Sequence, residues 1–207
     1  AGVSGRAAGY EFDALVIATG ATDRVLPIPG WTLPGVYTLG GAQVVLKDQG
    51  CLIGRKVVFC GSSPLLYLAA LQYARMGAEV VAVLDTTPFS EKLRAWPDLL
   101  AAPRTLLKGL GHLADLHRLG VPVRHGARPI AFTGTGAVDG VIWRDAQGTE
   151  QRLACDAVAF GFGLRPESQL AELAGSDLRY DPVFRQWFPV HDVDGRCGGG
   201  IYVAGDC

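Results

Sequence analysis

The residues best placed to do chemistry are a glycine, two serines and a proline on a single turn, followed at a distance by a carboxylate. Gly61-Ser62-Ser63-Pro64-Leu65-Leu66 comes after the apolar segment Lys56–Cys60 and opens a helical pattern over Pro64–Met76. A helix beginning at such a turn offers its free amide hydrogens and the positive end of its dipole to an anion, above all to a pyrophosphate. Gly61 permits the tight turn. Asp85 closes a second apolar segment, Glu79–Leu84, about twenty-four residues later. A carboxylate there can accept both hydroxyls of a ribose. No lysine or arginine follows until Lys92, so an added 2′-phosphate would meet Asp85 unpaired. That favours an NAD- or ADP-type ligand over NADP.

The turn departs from a three-glycine fingerprint. Ser63 stands where a glycine lets the backbone touch the pyrophosphate, and Leu66 where a glycine lets helix and strand pack closely. Ser63 either donates its hydroxyl to a phosphate or caps the helix, with Pro64 at the first helical position. Two readings stay open. Gly61, Ser62, Ser63, Pro64, Leu65 and Asp85 hold NAD, ATP or ADP; or the groove is closed and the segment is a non-catalytic module kept for subunit contacts.

The elements that must position these residues form a strand, turn, helix and strand within about 30 residues, the signature of a right-handed βαβ crossover. Upstream, Asp13–Ala18 is an apolar strand running into Thr19-Gly20. A proline-rich connection over 27–35 follows, then a short helix at Ala42–Asp48. Downstream, Ser90–Leu119 reads as helix with breaks at Pro97, Pro103 and the Gly109/Gly111 pair, and Val121–Arg124 as a third strand. The stripe Leu106, Leu107, Leu110 and Leu113 is expected to bury against its own domain. From Pro129 the period becomes two: Pro129–Phe132, Gly140–Arg144 and Gln151–Ala154 form an antiparallel meander. Ala157–Phe162 is a buried strand, Glu167–Ala174 a helix, and Gly200–Ala204 a strand delivered into Gly205-Asp206. The fold class is α/β, a Rossmann-like domain with a meander.

Two of these strands carry a resemblance. Tyr10-Glu11-Phe12-Asp13-Ala14-Leu15-Val16-Ile17-Ala18-Thr19-Gly20 and Ile201-Tyr202-Val203-Ala204-Gly205-Asp206 resemble the two FAD-domain signatures of flavoproteins with two dinucleotide-binding domains, the pyridine nucleotide–disulfide oxidoreductase relatives. Phe160-Gly161-Phe162-Gly163-Leu164-Arg165-Pro166 is similar to the segment by which such chains leave the NAD domain and return to the FAD domain. Ala18–Arg24, Pro29–Val36 and the Gly61 turn narrow the resemblance to one branch. It holds opine oxidase A subunits, the hydrogen cyanide synthase flavoprotein subunit, and dye-linked proline dehydrogenase and sarcosine oxidase α-type subunits.

The resemblance implies an FAD-dependent oxidoreductase of amines or amino acids, with FAD beside Thr19, Gly20, Gly205 and Asp206 and a nucleotide near Gly161 and Gly163. It implies a hetero-oligomer whose partner is a substrate-oxidising subunit. It also implies an internal piece of a longer protein, inactive alone: 1–50 and 161–207 as remnants of a split FAD domain around an NAD-like domain at 51–160. Exposed remnant surfaces would then favour self-association. No carboxylate pair or Ser/His grouping nominates a general base or nucleophile.

Composition excludes other classes. Nineteen basic against twenty acidic residues give a net charge of −1, with no charge run to attract nucleic acid or an anionic bilayer. The long uncharged stretch Val57–Ala74 is broken by Gly61-Ser62-Ser63-Pro64, which argues against a membrane span. The first residues have no signal-peptide pattern. Five scattered cysteines without a Cys-x-x-Cys pair point to reduced thiols in the cytoplasm and to no redox dithiol. His112 and His117 are spaced poorly for one helix face, so no metal site is expected. His125 and His191 are expected to be structural.

Overall fold

The computed structural model describes residues 9–94, 100–101 and 103–207. The chain divides into two compact units, one with Asp23–Leu164 and one with the segments up to Thr22 and from Arg165 to Cys207. The early elements are β1 (Leu15–Ile17), β2 (Ala21–Asp23), β3 (Val36–Thr38) and α1 (Leu39–Asp48). The βαβ core follows as β4 (Lys56–Gly61), α2 (Pro64–Arg75) and β5 (Glu79–Asp85). Next come α3 (Phe89–Arg94), α4 (Pro103–Arg118), β6 (Val123–His125), and the meander β7 (Arg128–Thr133), β8 (Gly140–Arg144) and β9 (Glu150–Ala154). The remainder is β10 (Ala157–Gly161), β11 (Leu164–Pro166), α5 (Gln169–Leu173), β12 (Leu178–Asp181), β13 (Gln186–Pro189), β14 (Arg196–Gly198) and β15 (Ile201–Val203).

The larger unit is built on a parallel sheet ordered β3-β10-β4-β5-β6. Alternation along the strands sends side chains to two cores. Val57 and Phe59 of β4, with Ala157 and Ala159 of β10, face the helices, where they meet Leu39, Leu66, Tyr73 and Leu116. Val58, Cys60, Val158 and Phe160 point the other way, toward Phe132, Val141 and Trp143 of the meander. Covered on both faces, β4 and β10 carry continuous apolar runs, as strands of a buried parallel sheet must. Tyr73 fits this core because its hydroxyl donates to the Ala42 carbonyl at 2.8 Å while its ring meets Phe59 edge-on.

Two expectations are corrected. A domain boundary at 50/51 does not describe the observed packing: β3 pairs with β10, and Leu39 and Ala42 of α1 sit in the helix-side core, so residues 23–50 belong with the larger unit. Nor do Gly109 and Gly111 break the helix; α4 runs through both. A helical glycine costs about 1 kcal/mol relative to alanine, which packing of the helix end offsets through buried Leu116. The expected leucine stripe is itself only partly covered, with Leu107 and Leu110 exposed. The break expected at Pro97 lies outside the described residues.

In the smaller unit β1 runs parallel to β15, β14 pairs antiparallel with β15, and β12 and β13 form a separate hairpin. No helix among the described residues is long and apolar enough to cross a membrane.

Position 61 tolerates no side chain. Gly61 lies at φ +153°, and a Cβ there would fall on the Gly161 carbonyl oxygen. Gly77, at φ +91° after α2, has open space around it. Gly61→Ala should therefore destabilise the chain by about 3 kcal/mol or more, and Gly77→Ala by about 1 kcal/mol. Thermal melts should rank the two variants in that order; equal losses would refute the close approach.

Candidate functional site

Strand register places the expected residues of the larger unit in a row. Gly161 of β10 is opposite Gly61 of β4, Gly61 is opposite Asp85 of β5, and Asp85 is opposite His125 of β6. All four end their strands at the carboxyl edge of the sheet. The chain direction across the sheet reverses between β4 and β10, so the crevice between them is the topological switch point where α/β sheets take ligands. Leaving Gly61 and Gly161 without side chains keeps that crevice narrow. A Cβ on Gly161 would also press to 2.8 Å from the Leu39 Cβ.

Three groups at the helix N-terminus of this crevice are engaged by the chain itself. The Ser62 amide donates to the Gly161 carbonyl at 3.2 Å, Pro64 has no amide hydrogen, and the Leu65 amide donates to Ser63 Oγ at 3.2 Å. The Leu66 amide donates to the Ser63 carbonyl at 2.9 Å. Ser63 is thus the N-cap of α2, with Pro64 at the first helical position. Leu66 is fully buried in the helix-side core. A phosphate binding at this turn would have to displace the Ser63 hydroxyl from the Leu65 amide.

Asp85 is also engaged. It is 3% exposed. Its Oδ1 accepts the Thr87 amide at 2.8 Å, and its Oδ2 accepts hydrogen bonds from the Tyr67 hydroxyl and from Lys92 Nζ. Lys92 Nζ also donates to the Tyr67 hydroxyl at 2.7 Å and lies 2.8 Å from His125 Nδ1. An ammonium has no lone pair, so Nδ1 is the acceptor there and the ring proton sits on Nε2. His125 Nδ1 is 3.4 Å from Asp85 Oδ2. Burial alone would raise the Asp85 pKa; the bonds from Lys92, Tyr67 and the Thr87 amide, with the lysine charge, outweigh it and hold the carboxyl below the ordinary range. Burial and the neighbouring carboxylate push the Tyr67 phenol well up, so it stays a donor.

This corrects one premise about the site. Lys92 is not a distant cation that leaves Asp85 unpaired; it is the carboxylate's ion-pair partner. His125 likewise belongs to the network instead of standing alone. Sequence spacing missed Tyr67, Lys92 and His125, which lie on α2, α3 and β6. The one available signal was Tyr67, which falls in the first turn of the helix that opens at Pro64.

In the smaller unit, the pairing of β1 with β15 brings Thr19-Gly20 and Gly205-Asp206 to one edge of that sheet. Thr19 Oγ1 donates to the Glu167 carbonyl at 2.5 Å, and the Glu167 amide donates to the Gly20 carbonyl at 2.9 Å. Gly20 and Gly205 take positive φ, +74° and +80°, which lets the chain turn sharply off both strands. Asp206 is exposed. Gly163, also at positive φ, has its carbonyl bonded by the Arg24 amide at 2.9 Å. Cys60 and Cys155 are buried thiols pushed up to about 12, Cys60 by burial and the nearby Cys155, Cys155 by burial and the carboxylates of Asp156 and Asp139. Neither is a reactive thiolate.

A parallel sheet with facing glycines at its carboxyl edge, a meander, and paired Thr-Gly and Gly-Asp strand ends make up an α/β fold shared with FAD/NAD oxidoreductases. The chain belongs to the pyridine nucleotide-disulphide oxidoreductase family, whose model matches residues 1–207 and whose members bind FAD and NAD(P). It is 41% identical to the A subunit of opine oxidase from Agrobacterium tumefaciens, covering 99% of this chain and 41% of that protein. It is 32% identical to hydrogen cyanide synthase subunit HcnB of Pseudomonas protegens, over 82% of this chain and 38% of that one. It thus spans about two fifths of the length of these relatives. Among solved structures, T. acidophilum thioredoxin reductase superposes with a TM-score of 0.67 at 20% identity, covering 95% of this chain and 58% of that chain. L-proline dehydrogenase from P. horikoshii gives 0.55 at 25% identity, covering 92% and 29%.

Because the folded pKa of Asp85 lies below its unfolded value, its contribution to stability is full above about pH 4 and fades as pH falls through the folded pKa. Asp85→Asn should lower stability at pH 7 by about 2 kcal/mol, since it leaves Lys92 poorly paired. The gap from the parent chain should close as the pH is taken below about 4. Denaturant melts from pH 7 to pH 3 read this directly; a gap unchanged across that range would remove Asp85 from the ion pair.

Proposed function

We propose that this chain is part of the flavoprotein subunit of an oxidoreductase complex acting on amines or amino acids, and that it works beside a separate substrate-oxidising subunit. The observation that carries the reading is the 41% identity to the opine oxidase relative across 99% of the chain. The naming of both curated relatives as subunits supports the hetero-oligomer. In the whole protein, Thr19, Gly20, Gly205 and Asp206 hold FAD, with the Asp206 carboxylate free to accept a hydroxyl of the bound group. FAD, when bound, supplies a two-electron carrier. The larger unit takes NAD, or ADP or ATP, at the switch point formed by Gly61, Ser62, Ser63, Pro64, Leu65, Gly161 and Gly163. The compartment is cytoplasmic, in keeping with five free cysteines, three of them buried.

A second reading is favoured by the occupied amides and the ion-paired Asp85. In it the groove is closed and the larger unit serves as a scaffold for subunit contacts. Thermal-shift titration with NAD, NADP, ADP and ATP separates the two. A ligand at ten times its Kd stabilises by about 1.4 kcal/mol, so a binder raises the midpoint measurably, whereas a scaffold leaves it unchanged at millimolar nucleotide.

For the flavin role, Asp206→Ala in the full-length subunit should weaken FAD retention at least tenfold, as expected for loss of a charged hydrogen bond. Flavin absorbance after gel filtration measures it. Full FAD occupancy in that variant would overturn the assignment. The full-length subunit with its partner should reduce an artificial dye when given an amino acid or opine; activity only with a disulfide substrate would overturn the substrate class.

A further inference from the structure

At the end of β5, the Lys92 ammonium has three N–H donors and three acceptors: Asp85 Oδ2, the Tyr67 hydroxyl at 2.7 Å and His125 Nδ1 at 2.8 Å. It is saturated. On the carboxylate, Oδ2 has both lone pairs engaged by Tyr67 and Lys92, and Oδ1 accepts the Thr87 amide. The side chain of Asp85 is 4% exposed, whereas those of Lys92 and His125 are about 30% exposed. A nucleotide reaching this edge of the sheet therefore meets an ammonium and an imidazole, with the carboxylate behind them.

A ribose diol binds a carboxylate by donating two hydroxyl hydrogens to it, and needs acceptor capacity on both oxygens. Here the capacity of Oδ2 is taken by the chain itself, one of its two donors being Lys92. We infer that Lys92 sets the nucleotide affinity and selectivity of the groove by competing with the adenosine ribose for the Asp85 carboxylate. The inference rests on the proposal that the larger unit binds a nucleotide. Lys92 comes from α3, a six-residue helix on the chain segment leaving β5, so the competitor is built into the connection that follows the carboxylate. Its charge also cancels the repulsion that Asp85 alone would exert on a 2′-phosphate. The groove as folded should then bind ribose-diol nucleotides weakly and discriminate little between NAD and NADP.

The test is isothermal titration of the parent chain, Lys92→Met and Lys92→Gln with NAD, ADP and NADP up to millimolar concentration. Far-UV circular dichroism confirms that the variants fold; Lys92 is partly exposed on a surface helix, and either folded variant suffices. The parent chain should bind NAD and NADP within about threefold of each other. Both variants should bind NAD and ADP at least tenfold more tightly than the parent, with NADP no tighter. If parent and variants bind all three nucleotides with the same affinities, the nucleotide reading stands and the role of Lys92 is overturned. If neither parent nor variants bind any nucleotide, the nucleotide reading fails and takes this inference with it.

Discussion

The carboxyl edge of the larger sheet depends on two strands meeting with no side chain between them. Gly61 and Gly161 face each other in register, and the Ser62 amide reaches across to the Gly161 carbonyl. That approach fixes where β4 ends, and so where Ser63 must cap and α2 must begin. The helix start in turn aims Tyr67, one turn further on, at the end of β5. A Cβ at position 61 would push β10 away and misplace every group that follows. The same row that makes a switch-point crevice thus also builds the network that fills its far end.

Burying a carboxylate forces the rest of that network. An ionised group removed from water needs a partner and hydrogen bonds on its remaining lone pairs, or it takes up a proton. Asp85 stays ionised because a lysine, a phenol and a backbone amide converge on it. The result keeps the carboxylate ionised but fills Oδ2, one of the two acceptors that a ribose diol needs. A similar logic governs the turn, where Ser63 satisfies the Leu65 amide that an anion could otherwise use. The turn and the carboxylate at the end of β5 are both engaged by the chain's own groups, the turn by Ser63 and the Gly161 carbonyl and Asp85 by Tyr67 and Lys92. A nucleotide bound at this edge would therefore exchange partners with these groups, at a free energy that is a small difference between similar hydrogen-bond sets.

The elements that sequence periodicity made legible are those with a strong local signal. The βαβ unit from Lys56 to Asp85, the meander, and the two apolar strands running into Thr19-Gly20 and Gly205-Asp206 all lie within a few residues of where the pattern puts them. What stayed hidden depends on pairing between distant segments. The Asp85 site needs the β5–β6 register to bring in His125 and the α3 connection to bring in Lys92, and neither has a periodic signature. The short strand Val36–Thr38 was missed because three half-buried residues after a proline-rich loop look like more loop; only β10 gives them a partner. The β12–β13 hairpin has alternating residues, but much of its apolar content faces outward, so the usual inside–outside pattern is inverted. Its Tyr180–Trp187 pair is exposed on both sides of the contact.

That inversion separates the two units in kind. In β4, a run of apolar residues is buried on both faces by helices and meander. In β1, the equally apolar Leu15-Val16-Ile17 buries Ile17 yet leaves Val16 62% exposed. Tyr10, Phe12, Leu173 and Val193 of the same unit are exposed as well. A strand that is apolar on both faces carries the composition of a covered sheet. The Asp85 network lies within its own unit, with the carboxylate bonded by Tyr67, Lys92 and the Thr87 amide. The Thr19-Gly20 and Gly205-Asp206 edge is organised, with Thr19 and Gly20 tied to Glu167, while Asp206 stands exposed. One unit therefore carries a carboxylate held by its own side chains, and the other carries a strand edge at which the carboxylate stands exposed.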